Sequence, residues 1–136
     1  MEFNLITKFD KRAQFSKLQR FHTSKLNNDF NKLFVKRDDL IHNQVSGNKW
    51  RKLKWNVIRA LENNCNIIST YGGAYSNHLL ATAALGKDMN LQTRAFVRGD
   101  ELNYSSNHIL QRCHDLNMEL VFLSRNDFKE LKYSSG

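Results

Sequence analysis

Two short segments carry side chains that could do chemistry together. Residues 46–53, SGNKWRKL, place Lys49 at the start of a predicted helix, next to a flexible glycine turn. Residues 72–78, GGAYSNH, follow an apolar run and place Ser76 where a second helix begins. The lysine amine can bend into a cleft, and a glycine turn at a helix N-terminus lets backbone N–H groups approach an anion or a polar ring. Each segment alone also fits ordinary structure, with Lys49 as a solvated first-turn lysine and Ser76 as a helix N-cap.

The helix that carries Lys49 has one predicted buried face. Apolar residues recur at helical spacing and form a single stripe: Trp50, Leu53, Val57, Ile58 and Leu61. At about 100° per residue, Lys52 falls on the opposite, solvated side, and Lys49 falls beside the stripe. Asn63 and Asn64 are expected to end this helix, because asparagine tolerates a left-handed turn.

The order of the predicted elements indicates an α/β fold, with a parallel sheet covered by helices. Apolar runs predict strands at residues 33–37, 66–70, 91–98 and 118–123, and helical spacing predicts helices between the last three strands. Ser76 is expected to cap one of these helices, Ser105 or Ser106 the next, and residues 127–132 begin another. Residues 1–32 are expected to form an arm with short helical pieces. Its scattered apolar residues are expected to pack on a neighbouring layer: Phe15, Leu18, Phe21, Leu26 and Phe30.

Composition limits the classes of function. The chain of 136 residues has a formal net charge of +8, which suits a phosphorylated ligand, an anionic membrane or nucleic acid. No apolar run approaches the length of a membrane span, and the first ten residues lack the apolar core of a signal peptide. Two cysteines without metal-ligand spacing favour a reduced, cytoplasmic protein. We predict no metal site, because the histidines lack paired ligand spacing: His42, His108 and His114.

Taken together and in this order, the segments resemble a known enzyme family. The matching text is FVKRDDLIH at residues 34–42, SGNKWRKL at 46–53, GGAYSNH at 72–78 and VRG at 97–99. It resembles the pyridoxal-phosphate enzymes of fold type II, the tryptophan-synthase-β type. Within them it is most similar to the branch of 1-aminocyclopropane-1-carboxylate deaminase and D-cysteine desulfhydrase. The resemblance runs from about residue 33 to residue 125.

The resemblance implies roles for three residues, and two neighbours are further candidates. Lys49 matches the lysine that forms a Schiff base with the cofactor pyridoxal 5'-phosphate. Asn77 matches the residue that hydrogen-bonds the 3-oxygen of the cofactor ring. Ser76 matches a residue near the substrate carboxylate, with a role in substrate contact or proton transfer. Tyr75 could stand over the cofactor or substrate. The candidate substrate-binding residues are Ser76, Asn77, Tyr75 and His78, and His78 is expected to be structural more than catalytic.

The resemblance also implies how the chain is organised. Residues 1–52 correspond to an arm and strand of the larger domain, and residues 53–136 to a truncated smaller domain. The family's phosphate-binding loop lies in a later part of its chain, so we expect this chain to be an N-terminal portion that is inactive alone. Full-length relatives would be homodimeric lyases or deaminases acting on a small amino acid.

Two other interpretations stay open at the level of sequence. The chain could be a degenerate remnant, or a non-enzymatic basic module that holds a phosphate ligand. Nucleic acid is the less favoured ligand, because basic runs are most often solvated faces and the aromatic residues of the arm suit packing. Binding that weakens steeply with salt would favour the nucleic-acid interpretation.

Overall fold

The computed structural model describes residues 2–21 and 33–134. Its helices are α1 (Glu2–Gln14), α2 (Lys49–Glu62), α3 (Asn77–Asp88), α4 (His108–Asp115) and α5 (Arg125–Ser134), with a 3-10 turn at Asp38–Leu40. Its strands are β1 (Leu18–Phe21), β2 (Leu33–Lys36), β3 (Ile67–Gly73), β4 (Gln92–Arg98) and β5 (Met118–Leu123).

The central feature is a three-stranded parallel sheet in the order β3-β4-β5. Ile67 pairs with Gln92, and Thr93 pairs with Met118, so each strand lies beside the next one along the chain. Helices α3 and α4 cover one face, and α5 lies against β4 and β5. The predicted α/β fold with a parallel sheet covered by helices is therefore confirmed.

Helix α3 lies at the centre of the packing. It is buried on most sides, and its fully or nearly buried residues are Leu79, Ala81, Thr82, Ala83, Ala84, Leu85 and Gly86. A helix that is apolar almost all round belongs in a core, between a sheet and other helices. Its small alanines and glycine let it approach the sheet closely, which fixes the start of the helix relative to the end of β3.

Three helices end in the same way. Asn64, Asn90 and Asn117 follow α2, α3 and α4 and have positive φ angles of 52°, 54° and 64°. Asparagine adopts this left-handed conformation more readily than most residues and stops a helix there. The predicted ending of α2 at residues 63–64 is confirmed, and the same device turns the chain from each of these helices into the following strand.

The buried stripe of α2 is also confirmed. Trp50, Leu53 and Val57 are buried, Ile58 and Leu61 pack against the core, and Lys52 is exposed. The indole of Trp50 stacks on Phe9 of α1, with ring centroids 4.6 Å apart. This packing docks α2 on α1 and leaves the first residue of the helix, Lys49, at the rim.

The N-terminal region differs from the prediction. Helix α1 packs through Ile6, Phe9 and Ala13, and it is followed by β1, which pairs antiparallel with β2. The expected packing residues Phe15, Leu18 and Phe21 are 76%, 65% and 50% exposed within the described part of the chain, so their packing on a neighbouring layer stays a prediction. Leu26 and Phe30 lie outside the described residues.

Two element boundaries also differ. The predicted strand at 66–70 continues through Gly72 and Gly73, because both glycines stay in register with β4. Helix α4 is capped by Asn107, and not by Ser105 or Ser106, since the Asn107 side chain accepts from the backbone amides of the first turn. In the described part of the chain, no helix has the length and apolar character needed to cross a lipid bilayer.

Candidate active site

Lys49 stands at the first residue of α2, directly after a tight turn. Gly47 has a φ of +61°, a left-handed conformation that favours glycine, and its N–H donates to the carbonyl oxygen of Asp38 at 2.9 Å. The Lys49 amine donates to the side-chain oxygen of Asn48 at 3.4 Å. Among the described residues the amine forms no ion pair, and its side chain is only partly exposed. The amine is therefore held loosely at the edge of the protein core.

Asp38 joins the lysine turn to the arm. Its carboxylate accepts from Arg51 Nε at 2.7 Å and Arg51 Nη2 at 3.1 Å, and from the Ser16 hydroxyl at 2.7 Å. Its backbone carbonyl accepts the Gly47 N–H. Hydrogen bonding to Arg51 lowers the pKa of Asp38, against the opposing effect of desolvation. Asp38 thus fixes both the turn before Lys49 and the first turn of α2.

Replacing Asp38 with asparagine is expected to lower the free energy of unfolding by about 1–2 kcal/mol at neutral pH. The charge-assisted hydrogen bonds that are lost contribute less free energy than buried ones would, because the Arg51 side chain is 45% exposed and water screens the charges. The lowered folded-state pKa means that this stabilisation is complete above about pH 5 and fades as pH falls below about 4. Urea unfolding of both proteins across that range should show the difference shrinking in acid.

The neighbouring carboxylate provides the matched control for that experiment. Asp39 pairs with Arg37 at 2.8 Å on the surface, where an ion pair adds little to stability. Asp39→Asn should therefore leave the urea midpoint near that of the unchanged protein. Equal losses in the Asp38 and Asp39 variants would contradict the role given to Asp38.

His42 fixes the other side of the lysine loop. Its Nδ1 accepts from the backbone amides of Gln44 at 3.2 Å and Val45 at 3.1 Å. Its Nε2 lies 3.4 Å from a carboxylate oxygen of Asp88, at the end of α3. These contacts require a proton on Nε2 and none on Nδ1. The ring therefore ties the loop before Lys49 to α3.

The second loop connects the end of β3 to the start of α3. A Cβ added at Gly72 would lie 2.8 Å from the Leu79 side chain, so the first turn of α3 packs directly on this glycine. Apart from its two chain neighbours, no atom of the described residues would lie within 4 Å of a Cβ at Gly73, so there is open space beside the second glycine. The Ser76 N–H donates to the Gly73 carbonyl at 3.0 Å. The loop is thus a short turn with an open side.

Ser76 occupies the predicted N-cap position of α3, but its hydroxyl does not cap the helix. Its backbone is extended, with φ −79° and ψ 110°, and its side chain forms no capping hydrogen bond. Asn77 is exposed, and Tyr75 is 74% exposed. The side chains of this loop therefore face solvent around the open side of the turn.

His78 lies in the first turn of α3 and contacts β3. Its Nε2 is 2.8 Å from the hydroxyl of Thr70 on β3. Burial lowers the pKa of His78, and the positive charges of Lys49 and Lys52 lower it further. Helices α2 and α3 contact each other, and Lys49 and Lys52 both lie in the first turn of α2.

The structure brings the predicted residues together only in part. Lys49 begins α2, Ser76, Asn77 and His78 lie at the start of α3, and these two helices contact each other. In residues 2–21 and 33–134, no side-chain hydrogen bond or ion pair joins Lys49 to Ser76 or Asn77. Convergence of Lys49, Ser76 and Asn77 on one cleft remains a prediction.

The relatives in sequence are enzymes of one named group. No protein-family model matches the chain. A Thermotoga maritima protein named as a 1-aminocyclopropane-1-carboxylate deaminase is 34% identical over 99 residues, covering 73% of this chain and 31% of that protein. The Arabidopsis thaliana bifunctional D-cysteine desulfhydrase/1-aminocyclopropane-1-carboxylate deaminase, mitochondrial, is 37% identical over 70 residues, covering 52% of this chain and 18% of that protein.

Solved structures show the same fold. A crystal structure of an ACC deaminase homologue matches with a TM-score of 0.67 at 22% identity, over 94% of this chain and 42% of that one. A hydrogen sulfide-producing enzyme from Fusobacterium nucleatum matches with a TM-score of 0.58 at 12% identity, over 93% of this chain and 42% of that one.

The sequence matches and the shared fold agree with the resemblance carried by the two loops. Against the two sequence relatives described above, the chain spans between 18% and 31% of their length. The chain is related to the family of 1-aminocyclopropane-1-carboxylate deaminase and D-cysteine desulfhydrase, and it corresponds to part of the length of those proteins.

Proposed function

We propose that this chain is the N-terminal portion of a pyridoxal-phosphate-dependent lyase or deaminase that acts on a small amino acid. D-cysteine and 1-aminocyclopropane-1-carboxylate are the candidate substrates, since the relatives carry those names. The observation that carries the proposal is the contact between α2, which begins at Lys49, and α3, which begins directly after Ser76. It supports a site to which the two loops contribute jointly.

The residues present fit such a cofactor. The Lys49 amine has one long hydrogen bond and no ion pair in the described part of the chain, so it is available to an aldehyde. The open space beside Gly73 would admit a ring next to the loop. When bound, the cofactor supplies the aldehyde that accepts amines and the electron sink that stabilises a carbanion. Lys49 would hold it, and Asn77 would orient its ring through the side-chain amide.

The same residues suggest how the protein side of the reaction works. The Lys49 amine would give up its place to the substrate amine and then move a proton on and off the substrate carbon. The Ser76 hydroxyl, which caps no backbone amide, would bind the substrate carboxylate or relay a proton. His78 would stay neutral at physiological pH, because its pKa is lowered. A neutral imidazole adds no further positive charge beside the amine.

The exposed antiparallel pair of strands β1 and β2 supports a division of the enzyme into two domains. All eight residues of β1 and β2 are exposed, including Leu18 at 65% and Phe34 at 47%. Apolar side chains on both strands need a partner surface to leave water. We propose that residues 1–52 belong with the larger domain of the enzyme, and residues 53–136 with the smaller one. The free thiols Cys65 and Cys113 are in keeping with the cytoplasmic location that we also propose.

We expect the 136-residue chain alone to react weakly with pyridoxal phosphate and to release no keto acid. The family resemblance assigns the phosphate-binding loop to another part of the enzyme, and orientation contributes up to about 7–11 kcal/mol of barrier lowering. Borohydride trapping followed by peptide mass spectrometry should find label spread over several exposed lysines. Stoichiometric labelling that Lys49→Ala abolishes, together with clear turnover, would show instead that the chain is a complete enzyme.

The assignment of Lys49 can be tested by adding a second polypeptide that supplies the rest of the proposed enzyme. A polypeptide equivalent to the part of the Thermotoga maritima protein that this chain does not cover should concentrate the label at Lys49. Lys49→Ala should remove that label, whereas Lys52→Ala, on the exposed side of the same helix turn, should leave it. Label that stays spread, or that moves to Lys52, would count against Lys49.

A further inference from the structure

We propose that Asn107 is a positioning residue for the candidate site, holding the backbone of the β3–α3 loop in place from the start of α4. The inference rests on the proposed function, because it concerns the loop to which that function assigns Ser76 and Asn77. Asn107 lies at the start of α4, far along the chain from Ser76 and Asn77. It is not proposed to contact the cofactor or the substrate.

The Asn107 side chain makes contacts in two directions. Its oxygen accepts from the backbone amides of Ile109 at 2.9 Å and Leu110 at 3.0 Å, which caps α4. Its nitrogen donates to the carbonyl oxygen of Ala74 at 3.2 Å. The orientation of the amide is determined by these partners, since two N–H donors require the oxygen and a carbonyl requires the NH₂ group.

The loop has few other constraints at this point. Ala74 packs against the core, but Tyr75 is 74% exposed and the Ser76 hydroxyl makes no capping bond. There is open space around a Cβ position at Gly73. A backbone with an open side and a solvent-facing tip depends on the few contacts that reach it from the folded body.

The position of the Ala74 carbonyl sets the position of the residues that follow. Ser76 lies two residues later and Asn77 begins α3, so a shift at Ala74 moves the side chains proposed to contact substrate and cofactor. Catalytic groups need placement to within about 0.5 Å, which supporting hydrogen bonds provide. One amide therefore links the start of α4 to the geometry of the candidate site.

Two substitutions separate the cap from the link to the loop. Asn107→Asp and Asn107→Ser both keep a side-chain oxygen suited to capping α4. Neither can cap the helix and donate a hydrogen bond to Ala74 at once, because aspartate has no donor and serine is too short. Asn107→Ala removes both contacts and serves as the reference for a lost cap.

The measurement is amide hydrogen exchange by NMR on the intact chain. In the Asp and Ser variants we expect the Ser76 amide to exchange about 2- to 10-fold faster, while Ile109 and Leu110 keep their protection. In Asn107→Ala, all three amides should exchange faster. If the Asp and Ser variants leave the loop amides and their chemical shifts unchanged, Asn107 is a helix cap only and the inference is overturned.

A titration of the unchanged chain with pyridoxal phosphate keeps this inference apart from the proposed function. A lack of any response in the Lys49 and Asn77 signals, even with the complementary polypeptide added, would count against the proposed function. The exchange experiment needs no cofactor, so its result decides the role of Asn107 in holding the loop in either case.

Discussion

Replacing Trp50 with alanine should lower the free energy of unfolding by about 3–5 kcal/mol, the range measured for large aromatic residues in protein cores. The Trp50 side chain is 1% exposed. It stacks on Phe9 at 4.6 Å and donates its indole N–H to Asp10 at 3.0 Å. The substitution therefore leaves a cavity between α1 and α2 and removes one partner of the Asp10 carboxylate, which keeps its ion pair with Lys54. Urea unfolding followed by circular dichroism measures the loss.

The second tryptophan of the chain is the matched control. Trp55 lies on the same helix but is 68% exposed, with the Lys54 ammonium 4.7 Å from its ring centroid. Trp55→Ala should cost no more than about 1 kcal/mol, because an exposed cation–π contact is weak. Each variant retains a single tryptophan, so fluorescence should report a shielded indole in one and a solvated indole in the other. Similar losses from both substitutions would contradict the packing of α2 on α1.

Replacing Gly86 with alanine should also destabilise the fold, by about 1–3 kcal/mol. A Cβ at Gly86 would lie 2.2 Å from the Thr93 methyl carbon and 3.0 Å from the Leu91 carbonyl oxygen. Alanine favours a helix by about 1 kcal/mol over glycine, which offsets only part of the clash. Thr93 is 4% exposed, so its side chain has little room to move away. Helix α3 would have to separate from β4.

The clash at Gly86 can be relieved from the opposite side. Thr93→Ser removes the methyl group that the new Cβ would meet, so the double variant should recover part of the stability that Gly86→Ala loses. Gly73→Ala is the control, since no atom lies within 4 Å of its Cβ position, and it should be close to neutral. Two results would contradict close packing of α3 on β4. One is a destabilised Gly73→Ala variant, and the other is a double variant whose loss of unfolding free energy equals the sum of the losses in the two single variants.

The elements that carry the candidate site were predictable because their signals are local. The apolar stripe of α2 follows from the spacing of neighbouring residues, and β5 matches the predicted residues 118–123. Asn64 ends its helix through its own backbone preference. Such patterns operate over one or two turns and survive without knowledge of the tertiary structure. These local patterns predicted the parallel sheet and the two loops that precede α2 and α3.

The N-terminal region was less predictable because its partners are distant in sequence. Asp10 meets Trp50 from 40 residues away, and nothing near Asp10 in the chain indicates this contact. Phe15 and Leu18 were expected to pack on a neighbouring layer because they are apolar. Within the described chain, however, the buried face of α1 is formed by Ile6, Phe9 and Ala13. Residue type alone does not tell which apolar face meets the rest of the described chain.

The residues that support the site were missed for the same reason. Asp38 and Asp39 are identical in type, and only the fold brings Arg51 and Ser16 to one of them. Asn107 had a usable signal, because asparagine is a preferred N-cap residue and stands two residues before the apolar pair at residues 109–110. Its hydrogen bond to Ala74, 33 residues away, had no local signal.

The order β3-β4-β5 has a consequence for how the chain folds. Each strand pairs with the next strand along the chain, and the helix between the two strands packs against the sheet. Loop-closure entropy is therefore spent in separate steps, each of which closes a helix-containing crossover, so this parallel pairing forms more slowly than purely local contacts. The sheet region can assemble vectorially during synthesis, whereas the contact of α1 with α2 must close a loop across the hairpin. We expect residues 67–123 to form the early folding nucleus, with α1 docking afterwards.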